Sequence, residues 1–192
     1  MKITRDLLGF HSPDARIGIM LSGGMDSALL LYLIASTFQN KIVTFTVPKT
    51  DGAALYVNSI ISWINNKTDK DIPYSKLIGD PLLQHDAIIN NALDEIKNDY
   101  DVLYFAGNSY PVDILPNGPN RTRRYNPKHI QPFFNCYKTD IVKAYDEYNL
   151  MELLPLTHTC TEQLVGRCNN CWQCKERIWA FNEVGLIDTS TA

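Results

Sequence analysis

The segment of the chain that is richest in chemistry is a Ser-Gly-Gly turn followed at once by a leucine-rich stretch, "LSGGMDSALL" at residues 21–30. Gly23 and Gly24 let the backbone turn tightly and bring its N–H groups close to a ligand. A helix that begins at such a turn adds unpaired N–H donors and a positive dipole end, which together favour an anion. The Lys-Ser/Thr pair of the common nucleotide-hydrolase loop is absent, so another use of phosphate is indicated.

The side chains of this turn add further polar groups. Ser22 and Ser27 carry hydroxyl donors, and Asp26 could cap the helix or help to hold a Mg2+ ion. Spacing alone leaves one alternative open, a strand-to-helix turn with capping residues and no ligand.

Four of the five cysteines lie close together in the pattern C-x7-C-x2-C-x2-C, and they are Cys160, Cys168, Cys171 and Cys174. Four thiolates at this spacing can close a tetrahedral zinc site. Disulfides are disfavoured in a cytosolic chain. An iron–sulfur cluster is the alternative, although no further cysteine follows where the bacterial ferredoxin pattern has one. We expect the fifth cysteine, Cys136, to be a buried apolar residue rather than a ligand or a nucleophile.

The elements that must position these residues alternate along the chain. The hydrophobic pattern predicts strands at 16–21, 41–48, 73–79 and 101–108, and helices at 26–38, 53–66, 83–98 and 138–150. Such alternation predicts right-handed crossovers and a parallel α/β sheet covered on both faces. We expect a nucleotide-binding α/β domain over residues 1–155 and a small zinc-binding tail over 156–192.

Two loops of this predicted sheet are expected to meet. Ligands of parallel sheets bind beyond the carboxyl ends of the strands. The turn at residues 22–24 follows the first strand and "GNSYP" at 107–111 follows the fourth, so both should face one crevice. The segment 108–135 lacks periodicity, which predicts a functional lid or a disordered segment. In the second predicted helix, Leu55, Ile60, Ile61 and Ile64 recur at helical spacing.

Composition and charge are those of an ordinary globular domain of 192 residues. The formal net charge of -3 argues against a general nucleic-acid binder, and one basic cluster stands out at Arg121–Arg124. The N-terminal residues contain no apolar signal core. The longest uncharged apolar run, near Leu29, is shorter than the roughly 18 residues that cross a bilayer. These features predict a cytoplasmic protein without a membrane partner.

The string "SGGMDS" resembles the SGGxDS signature of the PP-loop ATP pyrophosphatases, with all five fixed positions present. Members of that superfamily share a Rossmann-like sheet, of the adenine nucleotide alpha hydrolase-like type, and hold the pyrophosphate of ATP on this loop. The resemblance implies cleavage of ATP between its α and β phosphates and adenylation of a carboxylate or carbonyl oxygen. A loop that grips a leaving pyrophosphate would explain the missing lysine.

The segment 156–188 resembles the tail of the 7-cyano-7-deazaguanine (preQ0) synthases, with Asn169 where the knuckle glycine of that family is usual. The matching positions are Thr157, Cys160, Cys168, Cys171, Cys174, Arg177, Phe181 and Gly185. "PFFNCYKTDIVKAY" at 132–145 resembles a second segment of that family and places Lys138 and Asp140 at matching positions. The matched blocks together cover about half of the chain.

This resemblance implies site residues, cofactors and a reaction. Asp26, Ser27 and Lys138 are implied to be catalytic, and the four clustered cysteines are implied to bind Zn2+. The residues implied to bind ATP with Mg2+ are Leu21, Ser22, Gly23, Gly24, Met25, Asp26, Ser27, Thr46 and Lys138. The implied enzyme is a homodimeric ligase that forms C–N bonds. It converts 7-carboxy-7-deazaguanine and ammonia to 7-cyano-7-deazaguanine through an adenylated intermediate, in queuosine-type biosynthesis.

The middle of the chain departs from that family's pattern. The segments 46–56, 85–93 and 107–128 replace its acceptor-recognition stretches, and Asp113 and Arg121–Arg124 are only loose counterparts. Three alternatives therefore stay open. They are a divergent PP-loop ligase for another acceptor (a protein, a nucleic acid or a small molecule), a tRNA-modifying PP-loop enzyme, and a zinc-stabilised nucleotide sensor without turnover.

Overall fold

The computed structural model of the protein describes residues 2–80, 85–112 and 126–190. Asp113 and the basic cluster Arg121–Arg124 lie outside the described residues, as does the middle of the segment 108–135 that is predicted to be a lid or a disordered segment. Among the described residues, the longest apolar helices fall short of what a membrane crossing requires.

One sheet of five parallel strands organises the described chain. The strands are β1 (Ile17–Met20), β2 (Ile42–Thr46), β3 (Lys76–Leu77), β4 (Val102–Tyr104) and β5 (His129–Ile130). Their order across the sheet is β3-β2-β1-β4-β5. Ile17 of β1 is in register with Ile42 on one side and Val102 on the other. The predicted parallel α/β fold is confirmed.

Helices cover both faces of this sheet. They are α1 (Met25–Thr37), α2 (Val57–Thr68), α3 (His85–Ile96), α4 (Lys138–Glu147) and α5 (Trp172–Val184). Short 3-10 turns lie at Arg5–Leu8, Ala53–Tyr56 and Met151–Leu156. The main core joins apolar residues of α1, α2, α4 and α5 to one face of the sheet. A smaller core joins α3 to the opposite face, around Phe45 and Leu103.

Three details of the elements differ from what the sequence pattern indicates. The unpatterned segment 108–135 contains the edge strand β5, which is too short to show periodicity and is held by Leu103 N donating to Lys128 O at 2.7 Å. Leu55 is 73% exposed, because Gly52 at φ +75° starts a 3-10 turn that shifts the phase before α2 begins. The cysteine-rich tail contains the long helix α5, which the sequence pattern did not reveal.

The connectivity fixes where a ligand can bind. The chain runs outward from β1 to β2 and β3 in one direction, and then returns to β4 and β5 on the other side of β1. A crevice forms at the carboxyl ends of β1 and β4, where this direction reverses, and such crevices are the usual ligand sites of doubly wound sheets. The loop after β1 is the Ser-Gly-Gly turn.

Candidate functional site

The loop between β1 and α1 is held in shape by its own serine hydroxyls. The backbone N–H of Ser22 donates to Ser27 Oγ at 3.2 Å, and Ser27 Oγ donates to the carbonyl of Gly24 at 3.0 Å. The N–H of Gly24 donates to Ser22 Oγ at 3.3 Å. Gly24 is the N-cap residue of α1, where the structure shows no side-chain cap, so Asp26 does not cap the helix. The first N–H groups of α1 lack intrahelical partners and are available to an anion.

Gly23 is the most constrained residue of this loop. Its φ is +87°, and a Cβ placed on it would lie 2.0 Å from the carbonyl oxygen of Ala53. On its other side, the N–H of His158 donates to the Gly23 carbonyl at 2.9 Å. The loop is therefore clamped between the turn at Ala53–Tyr56 and the segment that leads into the cysteines.

Two predicted site residues that are distant in sequence meet beside the loop. Lys138 Nζ lies 2.5 and 2.7 Å from the two carboxylate oxygens of Asp26. Lys138 is the first residue of α4, yet its side chain is only 5% exposed. A buried lysine requires a carboxylate partner, and Asp26 supplies one.

Glu176 is a third member of this charged group, and sequence reasoning missed it. Its Oε2 lies 3.5 Å from Lys138 Nζ, its side chain is 2% exposed, and its Oε1 accepts from Asn108 Nδ2 at 3.4 Å. Glu176 lies one helical turn before Ala180, which is buried in the main core. In a helix, residues at i and i+4 share a face, so the spacing of Glu176 and Ala180 is the sequence signal that this carboxylate faces the protein interior.

A cavity of about 370 Å3 opens at the carboxyl ends of β1 and β4. Its lining includes Leu21, Ser22, Gly24, Asp26 and Ser27 from the loop, and Phe45, Val47, Phe105, Gly107 and Asn108 from the ends of neighbouring strands. The expected meeting of the Ser-Gly-Gly turn with the "GNSYP" loop is thereby observed. A volume of this size, largely apolar with a few polar groups, is typical of pockets for small ligands.

A second cavity of about 210 Å3 adjoins the first, and the two share Ser22, Gly24, Asp26, Val47 and Lys49. The lining of the second cavity also includes Met25, Asp51, Lys138, His158, Cys160, Thr161, Gln173 and Glu176. The phosphate-type loop, the buried lysine and the first cysteine of the cluster therefore all line this second cavity.

Thr46, another residue expected at the nucleotide, has a different position. Its side chain is fully buried at the end of β2, and its Oγ1 donates to the Leu21 carbonyl at 2.8 Å. The same hydroxyl is 2.8 Å from Ser75 Oγ. Through the first of these hydrogen bonds Thr46 holds the start of the loop, and its contact with the nucleotide stays a prediction.

The four clustered cysteines converge, with all four Sγ atoms within 4.8 Å of one another. Backbone N–H groups donate to the sulfurs, with Cys168 N at 3.4 Å from Cys160 Sγ and Cys171 N at 3.2 Å from Cys168 Sγ. Asn169, in the left-handed region at φ +56°, makes the turn between them. A tetrahedral ion with metal–sulfur bonds of about 2.3 Å places its sulfurs about 3.8 Å apart, so the cluster fits a single ion.

Arg177 anchors the segment that carries these cysteines. Its side chain is fully buried, and it donates from Nε to Asp188 Oδ2 at 2.7 Å and from Nη2 to Asp188 Oδ1 at 3.0 Å. Its Nη1 donates to Thr159 Oγ1 at 2.8 Å, next to Cys160. Burial alone would raise the pKa of Asp188, but the hydrogen bonds and charge of Arg177 outweigh it and lower the pKa to about 2.

The fifth cysteine has no part in this centre. Cys136 is fully buried, and burial raises the pKa of its thiol to about 11. It is a buried apolar residue, as expected, and is not poised as a nucleophile.

Residues 12–80, which run from before β1 through the loop to β3, match the asparagine synthase family. Among solved structures, the U34-tRNA thiolase NcsA from Methanococcus maripaludis, determined with its 4Fe-4S cluster, is similar at a TM-score of 0.53 and 14% identity. That match covers 93% of this chain and 70% of the thiolase chain. No curated protein has significant sequence similarity to the chain.

These likenesses bear on the fold. The thiolase match spans nearly the whole chain and shows that the protein has the PP-loop type of α/β fold. The asparagine synthase match, over the part that contains the loop, supports the resemblance to the PP-loop ATP pyrophosphatases. The narrower resemblance to the 7-cyano-7-deazaguanine synthases is not confirmed by these matches.

Proposed function

We propose that the protein is an enzyme that splits ATP between its α and β phosphates and transfers AMP to a carboxylate or carbonyl oxygen. The observation that carries this proposal is the position of the "SGGMDS" loop. Its N–H groups begin α1 at the crevice between β1 and β4, beside a cavity of about 370 Å3. The match of residues 12–80 to the asparagine synthase family supports the same class of chemistry.

Three polar features of the site have roles in this reaction. The N–H groups at the start of α1 bind the pyrophosphate portion of ATP, and the cavity along the strand ends receives the adenosine. Lys138, held on Asp26 at 2.5 Å, stabilises the negative charge that develops on the departing pyrophosphate. Asp26, whose side chain is 21% exposed, is the carboxylate that would hold Mg2+, an ion that neutralises phosphate charge.

For the acceptor we propose the carboxylate of 7-carboxy-7-deazaguanine, with ammonia as the nucleophile. The carboxylate oxygen attacks the α-phosphorus and pyrophosphate leaves; ammonia then displaces AMP and gives the amide. The amide oxygen attacks a second ATP, pyrophosphate leaves again, and elimination of AMP with loss of protons gives the nitrile. The resemblance of segments 132–145 and 156–188 to the synthases of this nitrile supports the proposal.

At the four cysteines we propose Zn2+ in a structural role. The sulfurs lie within 4.8 Å of one another, which suits one tetrahedral ion. A 4Fe-4S cluster interposes an iron atom at each cysteine and therefore holds the sulfurs further apart. With all four positions filled by protein, zinc contributes folding free energy rather than an open coordination site.

The similarity to the tRNA thiolase NcsA favours a second candidate, a tRNA-modifying enzyme that uses the same adenylating loop. The cavity that reaches from the loop to Cys160 supports it, because a metal centre beside the activated oxygen could take part in the reaction. In this candidate the four cysteines hold an iron–sulfur cluster instead of zinc.

One incubation separates these candidates. The protein is mixed with ATP, MgCl2, ammonium and 7-carboxy-7-deazaguanine, and the products are identified by mass. The amide and nitrile, formed with AMP and lost in a Lys138→Met variant, are the expected result. ATP consumption only after tRNA or a protein acceptor is added would overturn the proposed acceptor. Binding of ATP without turnover in any arm would overturn the catalytic function and leave a nucleotide sensor.

Metal analysis of the same preparation tests the cysteine site. We expect one zinc per chain and no acid-labile sulfide. Iron with acid-labile sulfide would contradict the zinc proposal and favour the tRNA-modifying candidate.

A further inference from the structure

Glu176 is a buried carboxylate for which the proposed reaction has no direct use. Its side chain is 2% exposed, in the first half of α5, where that helix packs against α4. Taking a carboxylate out of water is costly, and replacing buried ion pairs by apolar residues is often neutral or stabilising. Packing alone would therefore be served at least as well by an apolar side chain. The retained charge points to a task.

The neighbours of Glu176 indicate that task. One oxygen is 3.5 Å from Lys138 Nζ and the other accepts from Asn108 Nδ2 at 3.4 Å. Lys138 begins α4, and Asn108 follows β4 and lines the nucleotide-sized cavity. Glu176 thus connects the lysine that is paired with Asp26 to a residue that lines the larger cavity.

Lys138 needs such a contact because of its side-chain chemistry. A lysine ammonium is a compact charge on a flexible four-carbon stem, so one contact does not fix its position. The first contact, Asp26, lies in the first turn of α1 next to the phosphate loop, and its carboxylate would turn toward Mg2+ and the phosphates. Glu176, buried on a different element, keeps its place when Asp26 changes partner.

The start of α5 explains why this carboxylate is held rigidly. Cys171 is the N-cap residue of α5 and Cys174 lies in its first turn, so two of the four clustered thiolates fix the beginning of the helix. Successive helical residues rise about 1.5 Å, which puts Glu176 about 3 Å along the axis from Cys174. The next residue of α5, Arg177, is fully buried and is held by its hydrogen bonds to Asp188.

We propose that Glu176 is a positioning residue that holds the Lys138 ammonium beside the phosphate loop during cleavage of ATP. The proposal rests on the proposed use of Lys138 at the phosphates. Without the Glu176 charge, the lysine loses its second contact while the loop and the cavity stay intact. The step in which pyrophosphate leaves should therefore become slower.

The test is the steady-state kinetics of Glu176→Gln, with Glu183→Gln as matched control, because Glu183 is an exposed residue of the same helix. Misplacement of Lys138 should lower kcat about 10-fold to 100-fold. The KM for ATP should change less than about threefold, because a weaker lysine contact and the removal of a negative charge have opposite effects on binding. The control should match the wild type in both constants.

A double variant shows whether Glu176 acts through the lysine. Lys138→Met combined with Glu176→Gln should be no slower than Lys138→Met alone, because the two residues then act as one unit. Multiplied losses in the double variant, or a kcat of Glu176→Gln within twofold of the wild type, would overturn the proposal.

Two further measurements keep this inference separate from the proposed function. Binding of α,β-methylene-ATP to the wild type needs no acceptor, and its absence would sink the proposed function itself rather than the role of Glu176. Thermal unfolding and metal content are recorded for each variant. If Glu176→Gln unfolds, Glu176→Asp replaces it, because it keeps the charge but withdraws the carboxylate by about 1.5 Å, and the same loss of kcat is expected.

Discussion

Two single variants, Gly23→Ala and Gly24→Ala, should show which of the adjacent loop glycines the fold requires and which one phosphate binding requires. At Gly23 the backbone is left-handed, at φ +87°, and a Cβ would lie 2.0 Å from the Ala53 carbonyl oxygen. At Gly24 the φ is -83°, and the atoms nearest to a Cβ are 3.5 Å away, at ordinary contact distance. Although the two positions are adjacent, Gly24 should tolerate an alanine side chain and Gly23 should not.

The magnitudes follow from these geometries. A non-glycine residue held in the left-handed region costs about 1–3 kcal/mol, and the displacement of a backbone oxygen adds to that. Gly23→Ala should therefore lose about 3 kcal/mol or more. In a domain of this size each kcal/mol lowers Tm by about 2–4 °C, so we expect a fall of about 6–12 °C. Gly24→Ala should lose about 1 kcal/mol at most, because alanine is a poorer N-cap residue than glycine.

Binding of α,β-methylene-ATP should show a different pattern. Gly24 lines both cavities, so its added methyl group stands where the phosphates must approach the backbone. We expect Gly24→Ala to stay folded and to bind the analogue at least about tenfold more weakly, a loss of about 1.4 kcal/mol. Calorimetric titration and thermal melts of both variants provide the comparison. A Gly23→Ala variant as stable as the wild type, or a Gly24→Ala variant with wild-type affinity, would refute the reasoning.

Three further predictions concern the lysine, the cysteines and the buried aspartate. Lys138→Met should reduce turnover about 100-fold while the protein remains folded, and a rate near the wild-type value would exclude the lysine from the transition state. Cys171→Ser should lower metal content and Tm together, and a variant with an unchanged Tm would argue against a structural metal held by this thiolate. Because the pKa of Asp188 is lowered from 3.8 to about 2, its ion pair with Arg177 stabilises the fold above about pH 4 and this contribution fades toward pH 2. In urea titrations at pH 6, Asp188→Asn should accordingly have a lower free energy of unfolding than the wild type. This difference should shrink as the pH falls from about 4 to 2. A difference that stays constant with pH would contradict the role of the ion pair.

The parts of the site that the sequence predicted are those determined by local chemistry. The loop at residues 21–27 follows from a glycine turn between a buried strand and a buried helix, all within one short segment. The convergence of the four cysteines follows from their spacing. The meeting of two loops at the carboxyl ends of β1 and β4 follows from the general geometry of parallel sheets.

The parts that were missed depend on contacts between distant segments. Glu176 becomes an active-site neighbour only because α5 packs on α4 and brings it to Lys138. The strand β5 exists because its backbone pairs with β4, not because its two residues carry a pattern. Leu55 was misplaced because the positive φ of Gly52 changes the helical phase. None of these effects produces a periodic pattern of residues from which the sequence could predict it.

The most direct test of the central claim is 31P NMR of ATP incubated with the protein, Mg2+ and the acceptor mixture. A loop that holds the leaving pyrophosphate predicts AMP and pyrophosphate in equal amounts, formed about 100-fold more slowly by the Lys138→Met variant. The appearance of ADP and orthophosphate as the enzyme-dependent products would contradict cleavage between the α and β phosphates, and with it the account of this site.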